Sequence, residues 1–362
     1  MKASAILSEV VRDLTSGTAR AALYGFLLAA IVAGLALVDQ RAVASILDDA
    51  RAFRAAGSAV SVLESRAAIS AQRCAALEEV PGVTGAGAVR DGGTVTALAL
   101  PAANLAVHEV TPGILDLLSN ITTVTPGSDP IAAGVWLTDD LANTLGATPG
   151  ATLALSTGDV PVTGVFTWPD DGRDRQFGFS VLAPVPAVGT FTGCMAEAWP
   201  ADDLLPSLLQ FTSAASGAET ADQRMFQLNG TRGAVMDTEA QLSARPTRWA
   251  AATAAVAALG IGYVAARTRR LEIAAALHAK VSRPDIAWIH LLQVLAWTIA
   301  AGLITTALVT WNARAAFPTP WTTGWLIGLR VIGAAILTPA VGTLLGIIPT
   351  RESHLFRYFK NR

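Results

Sequence analysis

Four apolar runs, each long enough to cross a bilayer as a helix, set the limits on this fold. Residues 21–38 and 249–266 carry no charge. A third run covers 286–311, and a fourth, 325–348, holds one charge, Arg330. Only 15 % of the chain is charged and the mean hydropathy is +0.45. That excludes a disordered chain and argues against an all-soluble enzyme. The first run exceeds the 7–15 residues of a signal-peptide core. Asp39, Gln40 and Arg41 follow it, with no small-x-small cleavage site, so it reads as an uncleaved anchor.

Basic residues orient the spans. Segments 1–20, 267–285 and 349–362 together hold 12 of the 26 Lys and Arg residues, against five acids. Residues 39–245 hold 23 acids and 11 bases, a net of −12. This predicts both termini in the cytoplasm and one large segment outside. Trp249, Trp311, Trp321 and Trp325 all fall at expected outer ends, where interfacial aromatics belong. Residues 1–20 read as an amphipathic helix on the inner surface, with Ile6, Leu7, Val10, Val11 and Leu14 on one side. Arg330 reads as a side chain snorkelling to the outer interface. Pro339 marks a kink in the fourth span.

The outer segment, 39–248, is long enough for its own core and reads as α+β. Strands are expected at 57–63, 83–90 and 94–100, with Asp91-Gly92-Gly93 turning a hairpin between the last two. A helix is expected over 67–80. Further on come helices at 110–118, 140–145 and 202–211, and strands at 135–137, 152–155, 160–167, 192–199 and 224–228. The first and last parts look like halves of one split α/β module. A mostly β module is inserted over about 106–190. Cys74 and Cys194, the only cysteines, both lie outside, so a disulfide is expected; the alternative is a pair of buried thiols.

No P-loop, H-E-x-x-H, C-x-x-C or G-x-S-x-G motif occurs, so the chain has no catalytic constellation and no nucleotide site of its own. The four histidines, His108, His278, His290 and His354, form no metal set, and no cofactor is expected. The acidic outer segment disfavours nucleic acid as a partner.

Residues 269–286 read RRLEIAAALHAKVSRPDI. This stretch resembles the cytoplasmic signature of the ABC-transporter permease superfamily that includes the macrolide exporter MacB and the cell-division protein FtsX. Arg269, Glu272, Ile273, Ser282, Arg283, Asp285 and Ile286 sit at signature positions; the signature's central glycine is Lys280 here. The order of one span, a large outer domain and three spans also resembles MacB-like permeases, as do residues 110–118 and 134–150. The resemblance implies a permease subunit that couples ATP hydrolysis by a separate cytoplasmic ATPase to movement of the outer domains. It implies contact with that ATPase through Arg269, Arg270, Glu272, Ile273, Leu277, Ser282, Arg283 and Asp285 in the segment 267–285. Its expected partners are the ATPase, a second permease as homo- or heterodimer, the lipid membrane and an extracytoplasmic protein. The location is a bacterial plasma membrane. The other readings are an FtsX-like regulator of a cell-wall hydrolase and a membrane-anchored scaffold without an ATPase.

Overall fold

A computed structural model describes residues 3–127, 134–200, 204–214, 223–317, 320–355 and 359. The chain divides into two units, Met1–Leu47 with Glu239–Arg362, and Asp48–Thr238. Helix α1 (Ala3–Thr15) precedes α2 (Ala21–Ala55), which is 35 residues long. At 1.5 Å per residue α2 spans about 52 Å, well beyond a hydrocarbon core of about 30 Å. Its residues from Asp48 onward belong to the second unit.

The second unit is built on a ten-stranded sheet. Its strands are β1 (Val60–Ser70), β2 (Val83–Val95), β3 (Leu105–Val110), β4 (Val124–Pro126), β5 (Val135–Thr138), β6 (Thr152–Leu155), β7 (Gly158–Phe166), β8 (Ser180–Pro184), β9 (Thr190–Ala198) and β10 (Arg224–Gln227). The order is β10-β1-β9-β2-β3-β8-β5-β7-β4, with β6 on β7. Helices α3 (Ala71–Ala75), α4 (Pro112–Ile121), α5 (Asp139–Leu145) and α6 (Leu205–Thr212) complete it. The chain runs from β1 through α3 to β2 and leaves room for β9, which enters antiparallel between them. This is a split β-α-β unit. The strands β3 to β8 are inserted between its halves and continue the same sheet through the β2–β3 pairing. Cys74 on α3 is disulfide-bonded to Cys194 on β9, with Cα atoms 5.9 Å apart. Separate apolar clusters centre on Phe166 and Phe177, on Phe191 and the disulfide, and on Leu137 and Leu141 of the insertion.

The sheet corrects several sequence expectations. Residues 67–70 are strand, because Ile69 and Ser70 pair with Phe191 and Thr190. Ser70 then caps α3, its Oγ accepting from the Arg73 N–H at 3.4 Å. Tertiary pairing thus overrides the helix propensity of an alanine-rich stretch. Asp91-Gly92-Gly93 makes a bulge inside one strand, not a hairpin. Asp91 pairs with His108 and Thr94 with Ala106, which leaves one extra residue on β2. Gly93 takes φ +83° there, and its N–H donates to Asp91 Oδ1 at 2.7 Å. The strand expected over 94–100 ends at Val95, and the one expected from 57 starts at Val60. Strands β3, β4 and β8 were not expected. Asp202 and Asp203, placed in the helix over 202–211, lie outside the described residues, as does most of the tail beyond residue 355.

In the first unit the chain continues with α7 (Thr238–Ala244), α8 (Ala250–Thr268), α9 (Arg270–His278), α10 (Arg283–Ala316), α11 (Trp321–Ile336) and α12 (Thr338–Ile347). A 3-10 turn at Pro246–Trp249 leads into α8. Among the described residues, four segments are long and apolar enough to cross a membrane: Ala21–Ala55, Pro246–Thr268, Arg283–Ala316 and Trp321–Ile347. The fourth is broken at Leu337, just before Pro339. Helix α10 runs on to Ala316 and α11 starts at Trp321, so the loop expected over 312–324 is short. On α8 every fourth residue is buried and small: Ala250, Ala254, Ala258, Gly262 and Ala266. This stripe meets Gly342 and Gly346 of α12. A Cβ at Gly262 would overlap the Pro339 carbonyl oxygen, and one at Gly342 the Leu259 carbonyl oxygen. Backbones approach this closely only where side chains are absent.

Candidate coupling site

The residues whose sequence resembles the permease signature lie where α8 gives way to α9. Arg269 stands between the two helices, outside the regular turns of both. Its guanidinium makes three bonds of 2.6 Å. Nε donates to Glu272 Oε2, one Nη to Gln293 Oε1 of α10, and the other to Asp13 Oδ2 of α1. Gln293 Nε2 also donates to Asp13 Oδ2, at 2.8 Å. One side chain thus binds α1, α9 and α10 to the end of α8. Asp13 and Gln293 are buried. Burial alone pulls the Arg269 pKa down, but the bonds and charges of Asp13 and Glu272 more than offset it and raise it. The node is therefore permanently charged. Tyr24 of α2 adds a hydroxyl contact to Thr268 Oγ1 at 3.0 Å.

The other signature residues surround this node. Ile273 is buried among Ala266, Ile286 and Ile347, and Leu277 packs on the same cluster. Glu272 is half exposed in the first turn of α9. Arg270 opens α9. Ser282 caps α10: its Oγ accepts from the Asp285 N–H at 3.3 Å and donates to Asp285 Oδ2 at 2.6 Å. Arg283 donates to the Thr350 carbonyl at 3.4 Å, just past the end of α12. Lys280 ends α9 with φ +62°. Its N–H bonds to the Leu277 carbonyl and that of Val281 to the Ala276 carbonyl, a Schellman-type close. This left-handed residue stands where the signature has glycine.

Asp13 was not among the expected site residues. Its signal is its phase: it lies three residues after Val10, on the buried side of α1, while Leu7 and Val11 are exposed. Gln293 is one turn beyond Ile289 on the buried side of α10.

A second node, in the same unit, joins α2, α10, α11 and the segment before α8. Asp39, fully buried on α2, accepts from Arg245 Nε at 3.1 Å and from an Arg330 Nη at 2.8 Å. Arg330 therefore pairs with another helix and does not snorkel freely as expected. Its neighbour Gln40 donates to the Gly324 carbonyl at 2.8 Å and accepts from Asn312 Nδ2 at 2.9 Å.

Within the second unit, the last turn of α2 is held just as firmly. Arg54 forms a two-pronged pair with Glu197 of β9, at 2.7 and 2.9 Å. Thr84 and Asn120 also donate to Glu197, which is fully buried. The helix's final carbonyls accept from buried side chains: Ala55 from Arg173 at 3.1 Å and Ala56 from Asn229 at 3.0 Å. Among the described residues no group of three or more His, Cys, Asp or Glu could hold a metal ion.

No family model matches the chain, and no curated protein matches its sequence. Solved structures similar to part of it include the periplasmic region of MacB from Actinobacillus actinomycetemcomitans. That match has a TM-score of 0.37 and 10 % identity, covering 48 % of this chain and 91 % of that one. A domain of a putative permease protein from Porphyromonas gingivalis matches with a TM-score of 0.35 and 17 % identity, covering 48 % of this chain and 93 % of that one. The extracellular domain of the noncanonic ABC-type transporter YknZ from Gram-positive bacteria matches with a TM-score of 0.33 and 12 % identity. It covers 46 % of this chain and 100 % of that one.

Proposed function

We propose that this chain is the permease subunit of a bacterial ABC-type export or mechanotransmission complex in the plasma membrane. Both termini and α9 lie in the cytoplasm, following the Lys and Arg distribution. ATP hydrolysis belongs to a separate cytoplasmic subunit, because the chain has no P-loop. That subunit docks on α9 and the turn 279–282, and two permeases pair in the membrane. The chain carries no chemistry of its own; it converts closure of the ATPase into displacement of helices.

The observation that carries this reading is the Arg269 node. A segment that receives a push from a partner must pass it to the spans without slack. Arg269 is bonded to three helices at once, in the segment whose sequence resembles the permease signature. Ile273 seats the same segment in an apolar cluster with Ile286 and Ile347. Movement would then pass along α2, a continuous helix whose last turn is clamped by Glu197.

Purification of the full chain from native membranes, with mass spectrometry of co-purifying proteins, tests this. A P-loop ATPase is expected in roughly equal amount, and Glu272→Ala with Arg283→Ala should release it. Absence of any P-loop protein in several mild detergents would overturn the reading.

A further inference from the structure

A cavity of about 490 Å³ opens between α1, α9 and the first turns of α10. Ile273, Ile286 and Ile289 form an apolar part of its wall. Glu9 and Glu272 stand at its exposed rim. His290 lines its depth and is only 8 % exposed. Neither ring nitrogen of His290 has a hydrogen-bond partner among the described residues. A buried imidazole has one donor and one acceptor to satisfy, and leaving a buried polar group unpaired costs about 1–3 kcal/mol. The cavity thus contains a polar group in want of a partner.

Its charges point to the class of that partner. Three carboxylates line the cavity (Glu9, Asp13, Glu272) against two guanidiniums (Arg12, Arg269). Arg269 is spent on Asp13 and Glu272, and Arg12 on Glu9. Glu9 and Glu272 each use only one oxygen in these bonds. The lining therefore has an excess of acceptors and of negative charge, which disfavours a phosphate or carboxylate guest. It suits a cation with several donors on an apolar stem.

We propose, on the permease reading above, that this cavity receives an arginine side chain of the cytoplasmic ATPase subunit. The planar guanidinium supplies five N–H donors, enough for the unused oxygens of Glu9 and Glu272 and for an acceptor nitrogen of the His290 imidazole. Its methylene stem lies on the isoleucine walls. The docking surface then includes α1 as well as the signature segment, and the incoming charge sits beside the Arg269 node.

The test uses the full chain in native membranes with a photo-cross-linking residue at Ala276, on the cavity wall. The adduct is expected on an arginine-bearing peptide of the P-loop subunit. Glu9→Lys should lower both adduct and co-purified ATPase about tenfold or more, while Glu9→Asp stays near the unsubstituted level. His290→Leu should lower the adduct while leaving thermal stability equal or raised; a purely structural His290 would lose stability and leave the adduct unchanged. An adduct on phospholipid overturns the proposal, as does full ATPase recovery with Glu9→Lys; in either case ATPase recovery with the unsubstituted chain still supports the permease reading. If no P-loop protein accompanies the unsubstituted chain, the permease reading fails first and the arginine guest with it.

Discussion

Each of the two units is held together internally by its own chemistry. The sheet unit, Asp48–Thr238, buries large side chains completely, including Phe166, Phe177, Phe191, Ile114 and Leu117. Water drives that burial, and many residues share it. The membrane unit buries mainly alanine and glycine at its α8–α12 crossing, and it places its buried carboxylates, Asp13 and Asp39, at two nodes. Lipid tails are as apolar as leucine, so apolar contact alone does not select one helix arrangement over another. Close approach and hydrogen bonds must do so. Stability in the sheet unit is therefore spread over many positions, whereas in the membrane unit a few positions decide it.

The largest effect should follow from breaking the node built on a fully buried carboxylate. Asp39 is fully buried and holds two arginines from different helices. Asp39→Ala leaves both without a counter-charge, and losing one partner of a buried pair costs about 3–5 kcal/mol. Thermal denaturation of the detergent-solubilised chain checks this. A loss under about 1 kcal/mol would show that the arginines find water, and that the node does not fix the helices. The sheet unit's nearest equivalent is the disulfide. Replacing both Cys74 and Cys194 with Ser frees a loop with a sequence separation of 120 residues. A cost of about 2–4 kcal/mol is expected, confined to unfolding of the sheet unit. Equal melting of the reduced and oxidised chain would refute it.

The Arg269 node should be softer. Asp13→Asn removes one charge but keeps an acceptor, and Arg269 retains Glu272 and Gln293. A loss of about 1–2 kcal/mol is expected. Hydrogen exchange should show α1 opening while α8 and α12 stay protected. Uniform exchange across all these helices would mean that α1 is no separate element. Smaller again, and opposite in sign, is Lys280→Gly. Lys280 has φ +62°, and an L-residue there costs about 1 kcal/mol relative to glycine. The glycine variant should be more stable by about that amount, with no change in the fold. A destabilised variant would mean that the lysine side chain makes a contact worth more than the strain.

The same difference governs what could be read from the sequence. The spans were legible because a bilayer demands about 20 apolar residues in a row, and runs of that length are hard to mistake. The disulfide followed from there being only two cysteines in one compartment. The sheet was harder. Ala67 to Ser70 looks helical locally and is strand only because β9 lies beside it. Asp91-Gly92-Gly93 carries the same local signal for a bulge as for a hairpin, and only the partner strand separates the two. The signature residues around Arg269 were visible as a segment, but Asp13 lies 256 positions away in sequence. No local pattern joins such residues. The burial phase of α1 contained the clue, since an acid on the buried side of an amphipathic helix needs a cation. The capping of α2 by Arg173 and Asn229 had no local signal at all.

The smallest expected effect is a pH dependence of the sheet unit through His108. Burial lowers the pKa of its ring, against opposing contributions from the Gln176 carbonyl, which accepts from Nε2 at 3.0 Å, and from the Asp91 charge. Phe177 stands edge-on to the ring at 5.3 Å between centroids. In the unfolded chain His108 titrates near its ordinary value of about 6.5. The unfolded state then binds the proton more tightly than the folded one. The stability contributed by the neutral ring is complete above about pH 6.5 and is lost as pH falls below it, until the folded ring is protonated too. Asp171 does not confuse this window. At Asp171 burial works upward, but the bonds and charge of Arg173 prevail and hold its pKa below the usual carboxylate range. Its own contribution is lost only at more acidic pH. Trp168 packs on Phe177 at 5.3 Å, so its fluorescence reports melting close to His108. The melting temperature should fall between about pH 7 and pH 5.5, and His108→Gln, which keeps an N–H donor for the Gln176 carbonyl, should flatten that fall. If the fall persists undiminished in the Gln variant, the proton is taken up elsewhere and His108 is a neutral part of the core at every pH where the domain is folded.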